Sequence, residues 1–368
     1  MSRAEARIDL ERIAGNVKHL KTLAGNEVMA VVKADAYGHG LVDVARAAIK
    51  GGASALGVAL LEEALSLRQA GITAPILAWL VPPGSDYKSA VDNDIELAAS
   101  SIIALEQIGS VASNKRPRVH LEVDTGMTRG GFLGEWGKLD AHHVAHIDIV
   151  GIFSHFARAD EPDQEQNNQQ RARFKEMVAT LESFGYTNIV RHLSNSAATL
   201  KDEQSRFDMI RAGIAIYGLT PDRENLGTPQ SLGLMPAMQL RAKLHLVKHV
   251  PAGSPVGYGA SAHTTVDTQL GIVAMGYADG IPRIAKDAGV FFNGKRAPII
   301  GRVSMDQFVV DLGADSTAVS GDWVIVFGDG SRGEYTADDW GAASLSINYE
   351  IVTRIGPRVP RIYAPHVY

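Results

Sequence analysis

Residues 28–40 read Val-Met-Ala-Val-Val-Lys-Ala-Asp-Ala-Tyr-Gly-His-Gly. Five apolar residues run into Lys33, and a glycine-rich loop follows. An uninterrupted apolar run of this length reads as a strand buried on both faces. A lysine at the carboxyl end of such a strand stands where a barrel of parallel strands puts its chemistry. The bland alternative is a strand-end lysine whose stem lies on apolar surface while its ammonium reaches water.

The pattern around this stretch repeats. Upstream, Leu10, Ile13, Val17, Leu20 and Leu23 share one helical face, with Asp9 as N-cap and Gly25 past the end. Downstream, a helix is predicted at 41–49, stopped by Gly51 and Gly52. Further apolar strands are predicted at 55–59, 75–81, 95–98, 118–123, 149–153, 189–193 and 207–211, with a clear helical pattern at 165–184. Counting 28–33, eight strands alternate mostly with helices over about 200 residues. The fold class is therefore α/β, with a (β/α)8 TIM barrel first. A doubly wound open sheet is the competing topology, but no G-x-G-x-x-G follows the first strand.

The texture changes near Leu234-Met235-Pro236. Leu240, Ala242, Leu244 and Leu246 alternate with period two, and strands are predicted at 270–276, 298–303, 307–312 and 323–328. Asn293-Gly294 reads as a hairpin turn, and Thr336-Ala337-Asp338-Asp339 as a helix start. The expected division is an N-terminal segment 1–8 associated with the β domain, a barrel at 9–233 and a mainly β C-terminal domain at 234–368.

Composition narrows the function. The chain has 368 residues, a formal net charge of −5 and no basic footprint for nucleic acid. It has no cysteine, which removes disulfides, thiolate catalysis and Cys-ligated metals. No apolar run reaches the roughly 18 residues of a membrane span, and the first residues lack a signal-peptide core. A cytoplasmic protein with a small-molecule substrate is the expectation, without nucleic acid, membrane or metal as partner.

Polar residues close several of the barrel strands: Lys33, Asp124, His155, His192 and Arg211. At one end of a closed barrel they converge on one mouth. Arg211-Ala212-Gly213-Ile214 and Ser194-Asn195-Ser196-Ala197 offer small residues, hydroxyls and free backbone N–H groups, as anion sites do. A phosphate-bearing cofactor and a reactive lysine together point to a Schiff base. His142, His143 and His146 include an i,i+4 pair that a helix would align for a metal, though no third ligand is evident and a solvated cluster is the plainer reading. The glycine-flanked Tyr258 and Tyr277 are either turn residues or phenols offered to a cleft.

These motifs resemble those of bacterial alanine racemases, pyridoxal-phosphate (PLP) enzymes with a (β/α)8 barrel and a C-terminal β domain. The resemblance covers nearly the whole chain. It includes Val31 to Gly40, Val123-Asp124-Thr125-Gly126-Met127, Ser154-His155-Phe156-Ala157, His192 to Ala198 and Arg211 to Ile214. In the second domain it includes Gly257 to Ala260, Gly276 to Gly280, Gly301 to Gln307 and Ile347-Asn348-Tyr349-Glu350. It implies racemisation of alanine, supplying D-alanine for peptidoglycan, in a homodimer with shared active sites.

The same resemblance implies residue roles. Lys33 bonds PLP and is one of two catalytic bases; Tyr258, from the partner protomer, is the other. Arg211 faces the pyridine nitrogen and His155 orients it. Tyr37, Asn195, Ser196, Gly213, Ile214 and Tyr349 hold the cofactor, chiefly its phosphate. Arg129 and the partner's Met305 bind the substrate carboxylate side. Tyr277 narrows the entrance, and Glu122 and Asp306 support the site. Two departures stand out. Glu122 occupies a position where many members carry a carbamylated lysine, so its carboxylate is expected to supply that anion and orient Arg129. Thr128 replaces a frequent glycine, with a local backbone effect expected.

Overall fold

The computed structural model describes residues 2–365; the expected domain limits at 1 and 368 lie outside the described residues. The chain divides into two compact units. One comprises residues 13–36 and 41–235; the other comprises residues up to Arg12, Tyr37–Gly40 and the chain from Pro236 on.

The first unit is the barrel. Its strands are Glu27–Val31, Ala55–Val58, Ile76–Ala78, Glu96–Ala99, Arg118–Glu122, Asp148–Phe153, Val190–His192 and Met209–Ala212. The first seven pair in parallel, each with the next, and the eighth pairs with the first. The seventh and eighth strands form no ladder; two backbone bonds bridge them, Asp208 N–H to Arg191 O at 3.1 Å and Arg211 N–H to Ser194 O at 2.9 Å. Inside lies a layer of Met29, Ala55, Leu77, Ala98, Phe153 and Met209, each from a different strand. This is the filled interior expected of a TIM barrel.

The local signals explain the helices. Asp9 Oδ1 accepts the N–H groups of Glu11 and Arg12 at 3.1 Å each, starting the helix Leu10–Ala24, and Gly25 follows with φ +69°. Helices Leu41–Lys50 and Glu165–Ser183 form where the periodicity places them. Residues 141–146 form turns, not a helix, so the i,i+4 alignment of His142 and His146 is not made.

The second unit is mainly β. Its sheet runs in the order Lys295–Pro298, Gly289–Phe292, Trp323–Phe327, Met238–Val250, Ala4–Ile8 and Arg361–Tyr363. Thr268–Val273 also pairs with Met238–Val250, and Phe308–Asp311 pairs with Thr268–Val273. Asn293 and Gly294 have φ +45° and +80°, as a two-residue hairpin turn requires. That hairpin moves one strand: 298–303 was expected, whereas pairing with Gly289–Phe292 sets it at Lys295–Pro298. Thr336 caps the helix Ala337–Ala343 through a reciprocal bond with Asp339. Among the described residues no helix is long and apolar enough to cross a membrane.

Candidate active site

Lys33 lies two residues beyond the first barrel strand rather than at its end. Val32 N–H still bonds Gly57 O at 2.8 Å, and the chain then leaves the sheet. Ala34, Asp35, Ala36 and Tyr37 all have φ between +51° and +54°, a left-handed turn made without glycine. Left-handed backbone costs an L-residue roughly 1–2 kcal/mol per position. Named bonds hold this one in place. Glu63 Oε1 accepts Ala34 N–H at 2.6 Å, Val32 O accepts Ala36 N–H at 2.9 Å, and Asp35 Oδ1 accepts Leu41 N–H at 2.9 Å. Glu63 also receives Ala59 and Leu60 N–H at 3.0 Å each, so one carboxylate ties the loops after the first two strands.

The half-buried Lys33 ammonium has a lowered pKa, because burial removes water and Arg129 adds a like charge, with Glu63 opposing. Its Nζ stands 5.7 Å from the Trp79 ring centroid. Neither Glu63 nor Trp79 figured in the sequence reading; the only signal was a charge on the helix following the second strand.

Arg211 is buried in the eighth strand. Nη1 donates to His192 O at 2.6 Å, and Nη2 to Ser154 O at 2.6 Å and Leu193 O at 3.2 Å. His192 Nδ1 lies 3.3 Å from Nη1, and His155 Nδ1 lies 3.4 Å from Nη2. Nε has no hydrogen bond among the described residues. Burial lowers the guanidinium pKa to about 10, with Glu122 raising it and Arg129 lowering it, so it is charged near neutrality. His155 is held neutral: burial and the positive charges of Arg211, Arg129 and Lys33 push it down to about 3.

Two turns bring donors together beside Arg211. Asn195 Oδ1 accepts Ala198 N–H at 3.0 Å and caps the short helix Ser196–Lys201. Ser196 Oγ accepts Gly213 N–H at 2.9 Å and Ala215 N–H at 3.3 Å. The buried N–H groups of Ser196, Ala197 and Ile214 have no partner among the described residues. Unpaired buried donors at helix starts are suited to an anion.

On the fifth-strand side, Asp124 Oδ1 accepts the N–H groups of Gly126, Met127 and Thr128 at 2.9, 3.0 and 3.1 Å. This folds the loop that carries the exposed Arg129. Thr128 has φ +59°, the conformation in which a glycine is at ease. Glu122 Oε2 accepts Ser100 Oγ–H at 2.9 Å, and no ion pair joins Glu122 to Arg129 among the described residues.

Within the β unit, Tyr258 occupies a short 3-10 turn between Gly257 and Gly259, both at positive φ, and is 69% exposed. Met305 is 53% exposed. The loops of Tyr277 and Met305 are joined by Tyr277 N–H to Ser304 O at 3.0 Å and Ala278 N–H to Met305 O at 2.9 Å. Asp306 accepts Arg358 Nη2–H at 2.7 Å. The rings of Tyr37 and Tyr349 lie 6.2 Å apart, and burial raises the Tyr37 phenol pKa.

Comparison with known proteins agrees with these motifs. Residues 8–221 match the family described as alanine racemase, N-terminal domain, and residues 237–363 match alanine racemase, C-terminal domain. The alanine racemase of Beutenbergia cavernae is 50% identical, over 98% of this chain and 97% of the relative. The crystal structure of alanine racemase from D-cycloserine-producing Streptomyces lavendulae superposes with TM-score 0.96 at 46% identity, covering 100% of this chain and 98% of that one. The Bacillus anthracis alanine racemase, solved with bound L-Ala-P, superposes with TM-score 0.90 at 36% identity, covering 99% and 95%. With both domain profiles matched in order and half of its residues shared with a full-length relative, this chain belongs to the alanine racemase family of enzymes.

Proposed function

We propose that this chain interconverts L- and D-alanine with PLP and two opposed bases, Lys33 and Tyr258. The observation that carries the reading is His155 beside Arg211, its Nδ1 3.4 Å from Nη2, with the charges of Arg211, Arg129 and Lys33 helping to hold the half-buried imidazole neutral. A reactive lysine, a carboxylate-binding arginine and an arginine for a ring nitrogen are the groups such a reaction needs.

The residues fit PLP. The orphaned N–H groups of Ser196, Ala197 and Ile214 suit its phosphate, and the unshared Nε of Arg211 suits its pyridine nitrogen. Asn195, Gly213, Tyr37 and Tyr349 are assigned to the cofactor with them by resemblance. When bound, PLP supplies an electron sink next to the substrate α-carbon.

The protein groups supply the rest. Lys33, less basic than a free lysine, takes the α-proton from one face. Tyr258 returns one from the other face, and the two exchange roles in the reverse direction. Arg211 stays charged and does not give up its proton at the ring nitrogen, which keeps that nitrogen unprotonated and disfavours transamination. Arg129 takes the substrate carboxylate with Met305 beside it, and Glu122 is the anion that steadies Arg129. Tyr277 and Asp306 shape the entrance.

The exposure of Tyr258 and Met305 supports their working in a partner protomer's site, in a homodimer. In this reading, residues 9–233 supply most of the cofactor contacts, and 234–368 supply Tyr349 and the second base. D-Alanine made in the cytoplasm would serve peptidoglycan. The L-Ala-P bound by the Bacillus anthracis relative supports a small amino-acid substrate.

The test is turnover of L-alanine in deuterated water. D-Alanine carrying α-deuterium, formed only with PLP present, is the expected product. Turnover of serine or lysine without alanine overturns the substrate assignment.

A further inference from the structure

Behind Arg211, a line of buried polar side chains crosses the barrel interior. His192 Nδ1 lies 3.3 Å from Arg211 Nη1. His192 Nε2 lies 2.8 Å from His120 Nδ1. His120 Nε2 lies 3.0 Å from Glu96 Oε2. The other oxygen, Glu96 Oε1, accepts Arg118 Nε–H at 3.0 Å and Nη2–H at 2.6 Å. Glu96 and Arg118 are the first residues of the fourth and fifth strands, at the end of the barrel opposite the site. His120, His192 and Glu96 are buried, whereas the Arg118 side chain is 51% exposed.

The partners dictate the protons. Arg211 Nη1 only donates, so His192 accepts at Nδ1 and donates from Nε2 to His120 Nδ1, which leaves His120 to donate from Nε2 to Glu96 Oε2. Every donor in the line points away from Arg211 and towards Glu96. Reversing either histidine sets N–H against N–H inside a buried line, the most costly fault such a network can have. The backbone is built around the line. A Cβ on Gly151 would fall 2.1 Å from His120 Nδ1, so glycine leaves the ring its place.

We propose that Glu96 is a positioning residue for Arg211, acting through the one-way hydrogen-bond line of His120 and His192. The line keeps His192 Nδ1 an acceptor, so Arg211 is held as a donor with its remaining N–H towards the cofactor ring. This rests on the assignment of Arg211 to the ring nitrogen made above.

The experiment is imidazole nitrogen NMR on the full-length, PLP-loaded protein labelled at histidine, paired with alanine kinetics. In the wild type, the expected signals are those of His120 and His192 carrying the proton on Nε2 and accepting at Nδ1. Glu96→Gln keeps this pattern, because its amide oxygen can face His120 while the half-exposed Arg118 turns to water. Glu96→Leu removes the acceptor. His120 and His192 then populate the Nδ1–H form, kcat falls by roughly tenfold, and KM for alanine moves by less than about twofold. His120→Phe gives the same loss at His192 if Glu96→Leu does not fold. Nδ1–H at His192 in the wild type overturns the proposal. So does wild-type kcat in either disrupting variant, or a Glu96→Gln protein as impaired as Glu96→Leu. A wild-type protein that shows the expected tautomers but does not turn over alanine counts against the proposed function, not against the line.

Discussion

Ser196 Oγ accepts the N–H of Gly213 at 2.9 Å, fastening the helix that starts at Ser196 to the turn that leaves the eighth barrel strand. That single hydroxyl aligns two sets of backbone donors, one at each turn. Ser196→Ala leaves Gly213 and Ala215 N–H without their acceptor. PLP affinity should weaken by roughly tenfold, the worth of one to two lost hydrogen bonds, while kcat at saturating PLP changes little. A cofactor titration followed by absorbance measures both. Unchanged affinity would remove Ser196 from the cofactor site.

The left-handed turn after Lys33 makes a different prediction. Ala34 is exposed and has φ +54°, so its side chain contributes strain rather than packing. Ala34→Gly should leave the unfolding temperature within about 2 °C or raise it. Ala34→Val should cost roughly 1–2 kcal/mol, since a β-branched residue tolerates this conformation worst. Thermal unfolding of the two variants side by side decides the matter.

His155 couples the site to acid stability. Its native pKa of about 3 lies below the ordinary 6.5, so between those values the unfolded chain binds a proton that the folded chain refuses. Stability therefore falls as pH drops through 6.5 and continues to fall towards 3. Between pH 7.5 and 5.5 this one group removes about 1.3 kcal/mol. His155→Gln should lose that much less over the same interval, measured by urea unfolding at both pH values. Parallel curves for the two proteins would show that His155 is not held neutral.

The two-base reading separates exchange from racemisation. Tyr258→Ala should lose racemisation by at least about 100-fold while Lys33 still exchanges the α-proton of D-alanine with deuterated water. Mixing it with Lys33→Ala protein should recover activity, because hybrid dimers contain one intact site. Mixtures as inactive as their components would show that each site draws both bases from one protomer.

Glu122 is assigned to steady Arg129, yet its carboxylate accepts the Ser100 hydroxyl at 2.9 Å. Glu122→Gln keeps that bond and removes the charge. The expected result is a raised KM for alanine with a smaller change in kcat. An unaltered KM would confine Glu122 to its bond with Ser100.

Much of this architecture was legible along the chain. Buried parallel strands need continuous apolar runs, so all eight barrel strands appeared near their observed places. The Asn293-Gly294 turn and the Thr336 cap were legible because each depends on residues adjacent in sequence. The left-handed turn was not, since Ala-Asp-Ala-Tyr carries no glycine to announce it; Glu63, 29 residues away, holds its first N–H. Glu96 and His120 did leave a trace, a polar residue set inside an apolar strand, but their pairing depends on strand register. The family motifs named Lys33, Arg211 and Ser196 as candidates.

The sequence by itself determined the alternation of strands and helices, the change to a β domain and the residue types available for chemistry, because periodicity and local capping act over a few residues. Only the tertiary structure decided that Lys33 stands beyond its strand in a left-handed turn, that His155 is held neutral by burial and nearby positive charge, and that Arg211 is backed by two histidines and a carboxylate. Those facts arise from burial and from bonds between strands far apart in the chain, where desolvation and partner geometry, rather than residue type, set charge and proton position.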